Sequence, residues 1–301
     1  MARGGGRCRA FRHPGDRQAV FQRDLFPRTG RRAVRDRHRP AGLRRRRGRR
    51  SPGRGAEAAR EIRGASRPDR GDPAAVEGGV MQAQSQAPLS FGGAAPDKAR
   101  MGLVLVHGRG GSARDILGLG EALGLPDMAC VAPEAPGHSW WPTSFLAPMA
   151  EMQPFLDAGL ASVGAAVAAL EGAGLARDRI AVAGFSQGGC LALEFGARNP
   201  GLAGVFGLSA GLVGTADAGG APDPALYGFA NKRLDYDGDL TGTPVTITVH
   251  EADPHIPLKR ARDSAAAFRA MGADAGLEVT PGAGHGITQA GVTRLRAVLN
   301  R

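Results

Sequence analysis

The chain is short of the residues that define several kinds of protein. It has three cysteines in 301 residues, Cys8, Cys130 and Cys190, none spaced as C-x-x-C. Neither a disulfide framework nor a cysteine zinc site is suggested, and a reducing compartment is the default. Aromatics make up 5% of the chain, with two Trp and two Tyr. Lysine is absent from residues 1–80. No apolar run approaches the roughly 20 residues that cross a bilayer. The Arg-rich start is not followed by an apolar stretch of signal-peptide type, so neither a membrane span nor a secretory signal is read. The cytoplasm is the expected location. No repeat of roughly 20–50 residues recurs, which argues against a solenoid.

What is present divides at Met81. Residues 1–80 carry 23 Arg and 8 acidic residues, a net +15, whereas residues 81–301 carry 16 basic and 20 acidic residues, a net −4. The overall charge of +11 therefore comes from the first segment. Clusters such as Arg44-Arg45-Arg46-Arg47-Gly48-Arg49-Arg50 repel themselves and bury nothing, so residues 1–80 are expected to be disordered. Three readings compete for them: a nucleic-acid-binding arm, a targeting segment, or residues upstream of a true start at Met81. An arm that stacks on bases wants aromatics and usually mixes Lys with Arg, yet only Phe11, Phe21 and Phe26 occur. No nucleic-acid partner is expected on that ground.

Residues 81–100 read as a lead-in, and residues 101–301 as one domain in which strand-length apolar runs alternate with helical stretches. Strands are predicted at Leu103–Val106, Cys130–Ala132, Ile180–Ala183, Val205–Leu208, Val245–Val249 and Leu277–Val279. Helices are predicted from about Phe155 to Glu171, Gly188 to Arg198, Leu258 to Met271 and Gln289 to Leu299. This alternation predicts an α/β class with a doubly wound, mostly parallel sheet. Active sites of such sheets lie beyond the carboxyl ends of the strands.

At one such end, Gly184-Phe185-Ser186-Gln187-Gly188 fits G-x-S-x-G between a predicted strand and a predicted helix. That context reads as a nucleophile elbow, where flanking glycines let a tight turn expose Ser186. A serine hydroxyl needs a base and an orienting acid. His285 follows the last predicted strand inside Gly282-Ala283-Gly284-His285-Gly286, and Asp253 follows the strand before it, with Glu251 as the alternative acid. The chain order Ser, Asp, His suits this fold. The tetrahedral oxyanion of acyl transfer wants two backbone N–H donors, assigned to Gln187 after the nucleophile and to Arg109 in the glycine-rich turn His107-Gly108-Arg109-Gly110-Gly111. His107 is read as a brace for that turn. Ser139-Trp140-Trp141-Pro142 with Phe145 forms an apolar loop at the same end of the sheet. Trp140, Trp141 and Phe145 are candidate acyl-chain contacts there, with core packing as the rival reading. No metal site is read.

Taken together, Val106-His107-Gly108-Arg109-Gly110-Gly111, Ala132-Pro133-Glu134-Ala135-Pro136, Gly184-Phe185-Ser186-Gln187-Gly188-Gly189, Asp253-Pro254-His255-Ile256-Pro257 and Pro281-Gly282-Ala283-Gly284-His285 resemble the phospholipase/carboxylesterase family of α/β-hydrolases. That group includes bacterial carboxylesterases and acyl-protein thioesterases. The resemblance spans about Leu103 to Leu299. It implies a compact α/β-hydrolase fold without a large cap domain and serine hydrolysis of carboxylic esters or thioesters, lysophospholipids included. It further implies a small-molecule ester substrate, no metal or organic cofactor, and a homodimer. Members of this family generally lack an Arg-rich leader, which favours the start at Met81.

Overall fold

The computed structural model describes residues 87–218 and 220–300; the Arg-rich segment 1–80, with its three readings, lies outside the described residues. Seven strands form one sheet: β1 (Leu89–Gly93), β2 (Met101–Val106), β3 (Met128–Pro133), β4 (Ile180–Phe185), β5 (Gly204–Leu208), β6 (Pro244–Ala252) and β7 (Asp274–Ala283). Their order is β1-β3-β2-β4-β5-β6-β7. Every neighbouring pair is parallel except β1 with β3. Five helices lie between and after the strands: α1 (Ala113–Leu123), α2 (Met149–Gly172), α3 (Gln187–Arg198), α4 (Leu258–Ala270) and α5 (Gln289–Leu299).

The uninterrupted apolar runs of the strands follow from burial on both faces. In β2, Val104 and Val106 enter one core with Leu156 and Val163 of α2, Leu191 of α3 and Phe268 of α4. Leu103 and Leu105 enter the opposite core with Ile116 and Leu119 of α1 and Leu295 of α5. The two-residue side-chain period of a strand thus feeds two helical layers at once. Helix α1 begins on a capping box in which Ser112 and Asp115 bond reciprocally, and it ends at Gly124 in the left-handed conformation, where the absence of Cβ removes the steric cost.

The structure departs from the sequence reading at three places. The lead-in 81–100 contains β1, an antiparallel edge strand, so the folded domain reaches back at least to Leu89; its two glycines and 55% exposed Phe91 hide it from an apolar-run reading. Helix α2 starts at Met149, six residues before the predicted Phe155, and continues through Pro154 at the loss of one i to i−4 bond. It is also long and apolar enough, by length and composition, to cross a membrane. In the fold, α2 packs against β2, β3 and α3. Helix α1 has no counterpart among the predicted elements.

Candidate active site

Strand β4 ends at Phe185 and α3 begins at Gln187, so Ser186 alone turns the chain, with φ +53° and ψ −119°. A non-glycine residue in such backbone costs roughly 1–3 kcal/mol and persists only where the surroundings enforce it. Enforcement is visible on both sides. The Ser186 N–H donates to the Leu208 carbonyl at the end of β5 at 2.8 Å, and the Cys190 N–H donates to the Ser186 carbonyl at 2.9 Å. A Cβ at Gly184 would lie 2.2 Å from the Gly188 carbonyl oxygen, and one at Gly188 would lie 2.2 Å from Val106 O and 2.4 Å from His107 O. The elbow therefore closes only with glycine at both positions, and it is pressed against the end of β2.

His285, in the loop after β7, places Nε2 2.8 Å from Ser186 Oγ and Nδ1 2.8 Å from Asp253 Oδ2. The Asp253 carboxylate is fully buried. Its Oδ1 also accepts the backbone N–H groups of His255 at 2.8 Å and Ile256 at 3.0 Å. With an acceptor-only carboxylate on one side, the imidazole carries its proton on Nδ1 and presents a lone pair at Nε2 to the serine. Glu251, the alternative acid, is exposed and accepts from the Gly282 N–H at 3.4 Å. The β6–β7 pairing explains the placement: His250 faces Thr280 and Ala252 faces Ala283, so β7 carries one residue more than β6 and Gly282 takes up the slack at φ +81°. Acid and base leave the sheet side by side.

Two further side chains meet this pair, and the first of them has no local sequence signal. The Tyr227 hydroxyl, from the long connection between β5 and β6, donates to the Asp253 carbonyl at 2.6 Å. The His255 ring meets the His285 ring edge-on at 4.7 Å.

Gln187 is the first residue of α3, where main-chain N–H groups have no partner within the helix. Gly108 packs on the elbow, since a Cβ there would be 3.2 Å from Phe185 O, which brings the Arg109 turn to the same place. His107 is buried. The Ala135 N–H donates to its Nε2 at 3.0 Å, so Nδ1 holds the proton and donates to Gly108 O at 2.8 Å. Burial pushes its pKa down from the ordinary value, which keeps this brace neutral.

Trp140, Trp141 and Phe145 are 5%, 1% and 8% exposed and belong to the hydrophobic core. The loop folds inward: the Trp140 indole N–H donates to His107 O at 2.9 Å while both rings bury apolar surface. Cys190, one turn along α3, is buried with its thiol pushed up to about 12 by desolvation, which disfavours the thiolate that a cysteine nucleophile needs. Among the described residues no cluster of His, Cys, Asp or Glu is placed to hold a metal ion.

The sheet order and the elbow at the end of β4 define an α/β-hydrolase. The signature of the phospholipase/carboxylesterase family matches residues 94–222. A phospholipase/carboxylesterase crystal structure from Dyadobacter fermentans DSM 18053 aligns with TM-score 0.63 and 33% identity over 72% of this chain and 98% of that one. NocK of Nocardia uniformis subsp. tsuyamanensis, described as an esterase, is 31% identical over 190 residues, 60% of this chain and 54% of that protein. Acyl-protein thioesterase 1 of Gibberella zeae is 30% identical over 129 residues, 42% and 50% of the two chains. The chain spans about half the length of these last two relatives. It belongs to the phospholipase/carboxylesterase family.

Proposed function

We propose that the protein is a serine hydrolase that cleaves carboxylic esters of small to medium acyl groups through Ser186, His285 and Asp253. The observation that carries this reading is the continuous hydrogen-bonded line from Ser186 Oγ through the His285 ring to Asp253, with 2.8 Å at each step. Ser186 Oγ adds to the ester carbonyl carbon while its proton passes to His285 Nε2. The carbonyl oxygen takes the negative charge opposite the backbone N–H groups of Arg109 and Gln187, and Asp253 supports the imidazolium. Collapse of the tetrahedral adduct expels the alcohol, which leaves with the proton from Nε2. Water then repeats the sequence on the acyl-serine and releases the acid. The preference for modest acyl groups is supported by the β5–β6 connection, residues 209–243, whose one helical element is the short turn Pro224–Leu226, so no cap domain is inserted there among the described residues.

A thioester as substrate is the second reading, favoured by the similarity to an acyl-protein thioesterase; the same steps then expel a thiol. The test is turnover of p-nitrophenyl butyrate and of a butyryl thioester, with labelling by a fluorophosphonate. Ser186→Ala is expected to lose turnover and labelling together. A Ser186→Ala chain that still hydrolyses both substrates at the parent rate ends the proposal.

A further inference from the structure

The two residues assigned to the oxyanion hole have side chains that do something else. Arg109 is exposed, yet its guanidinium donates to the carbonyls of Pro142, at 3.0 Å, and Thr143. Gln187 is buried; its Oε1 accepts the Trp140 N–H at 2.9 Å and its Nε2 donates to Trp141 O at 2.8 Å. Both side chains therefore hold one short loop, residues 139–143, from opposite ends. The loop in turn grips the Arg109 turn: Gly110 N–H donates to His138 O at 2.7 Å, and the Trp140 indole N–H donates to His107 O. The result is a closed ring of contacts in which the positions of the two backbone N–H donors depend on one another through a loop that touches neither reacting atom.

We infer that the Arg109 and Gln187 side chains are positioning residues for the oxyanion hole, acting by clamping residues 139–143; this rests on the serine-hydrolase reading above. The clamp matters because the charge to be stabilised appears only in the transition state, and donors displaced by a fraction of an ångström stabilise it poorly while leaving ground-state binding intact. The Trp140 N–H and the Trp141 carbonyl are the anchor points on the Gln187 side.

Arg109→Ala is the informative variant, because it removes an exposed side chain and leaves the backbone N–H in place. It is expected to lower kcat about tenfold, in keeping with the steep cost of misplaced donors, with KM within about twofold and an unchanged melting temperature. An alkyl trifluoromethyl ketone reports on the hole directly. Its carbonyl carbon takes the Ser186 oxygen, the proton goes to His285, and the charge stays on the ketone oxygen, so its affinity is expected to fall by the same factor as kcat. Arg109→Lys, which still supplies a donor, is expected to recover part of both losses. Gln187→Leu, which breaks both anchor bonds, is expected to lose more than Arg109→Ala in kcat and in ketone affinity. Parent values of kcat and ketone affinity in Arg109→Ala, or a rise in KM alone, overturn the clamp while Ser186→Ala remains inactive. Activity in Ser186→Ala overturns the hydrolase reading instead.

Discussion

Asp253→Asn separates the geometry of the acid from its chemistry. The substitution keeps the shape of the side chain, and the amide oxygen retains the two backbone N–H groups of His255 and Ile256 that now bond Oδ1. The fold should hold, with a melting temperature within a few degrees of the parent. What changes is the atom facing the imidazole. Asparagine turns an NH2 group toward His285 Nδ1, a position now served by Oδ2 at 2.8 Å. Nδ1 must then accept, the ring proton moves to Nε2, and the imidazole presents a donor to Ser186 where it needs a lone pair. A wrong tautomer in an otherwise intact triad costs about 10⁴ in kcat, equivalent to about 5 kcal/mol in the barrier. Initial rates on p-nitrophenyl butyrate measure it. Glu251→Gln is the companion, because Glu251 is exposed and accepts from the Gly282 N–H of β7 instead of facing the imidazole, and its rate is expected within about twofold of the parent. A loss below tenfold for Asp253→Asn, or an equal loss for Glu251→Gln, refutes the assignment.

Three further outcomes follow from the same contacts. Gly188→Ala drives a methyl group into the main-chain oxygens of Val106 and His107, which cannot rotate away; the cost should exceed the roughly 1–3 kcal/mol of ordinary core overpacking, and thermal unfolding should show it as a drop of several degrees with loss of turnover. His107 is held neutral by burial, so the unfolded chain takes up a proton near the ordinary imidazole value of about 6.5 that the native state refuses. Stability should therefore fall as pH drops through that value, by up to about 1.4 kcal/mol per pH unit for this one group, until His107 itself charges. Urea titrations at pH 7 and 5.5 should show a shallower fall in His107→Gln, and equal slopes would contradict the assignment. Cys130 and Cys190 have thiols pushed up to about 12 by burial, so in a Cys8→Ser chain neither should react with Ellman's reagent at pH 8 until urea is added; fast reaction of either in the native state would contradict this burial.

Much of the architecture was legible because buried parallel strands write themselves as unbroken apolar runs. Leu103–Val106 and Ile180–Ala183 need no partner to be recognised, and a G-x-S-x-G between strand and helix leaves little choice of turn. Edges and long-range bonds were not legible. Strand β1 alternates weakly, with glycines at 92 and 93, and is defined by its pairing with β3. Helix α1 contains Gly118 and Gly120, which mask its periodicity, although Ser112 with Asp115 is a capping signal at its start. Asp253 and His285 could be singled out as candidates because loops at strand ends are few. Tyr227 and the side chain of Gln187 were not, since their partners lie 26 residues away at Asp253 and 46 and 47 residues away at Trp141 and Trp140. The tryptophans illustrate the limit: an apolar loop at the active end of a sheet reads alike whether it faces substrate or folds beneath it.

The surplus residue of β7 near Gly282 constrains chain length more tightly than residue identity. Because Ala283 already faces Ala252 across the surplus residue, deleting one residue at 281–282 would remove the bulge that bends the end of β7 and so redirect the chain that runs on to His285. Substitutions there can drift as long as the backbone bend survives, whereas a gain or loss of a single codon would change the bend itself and the reach of the loop that carries the imidazole.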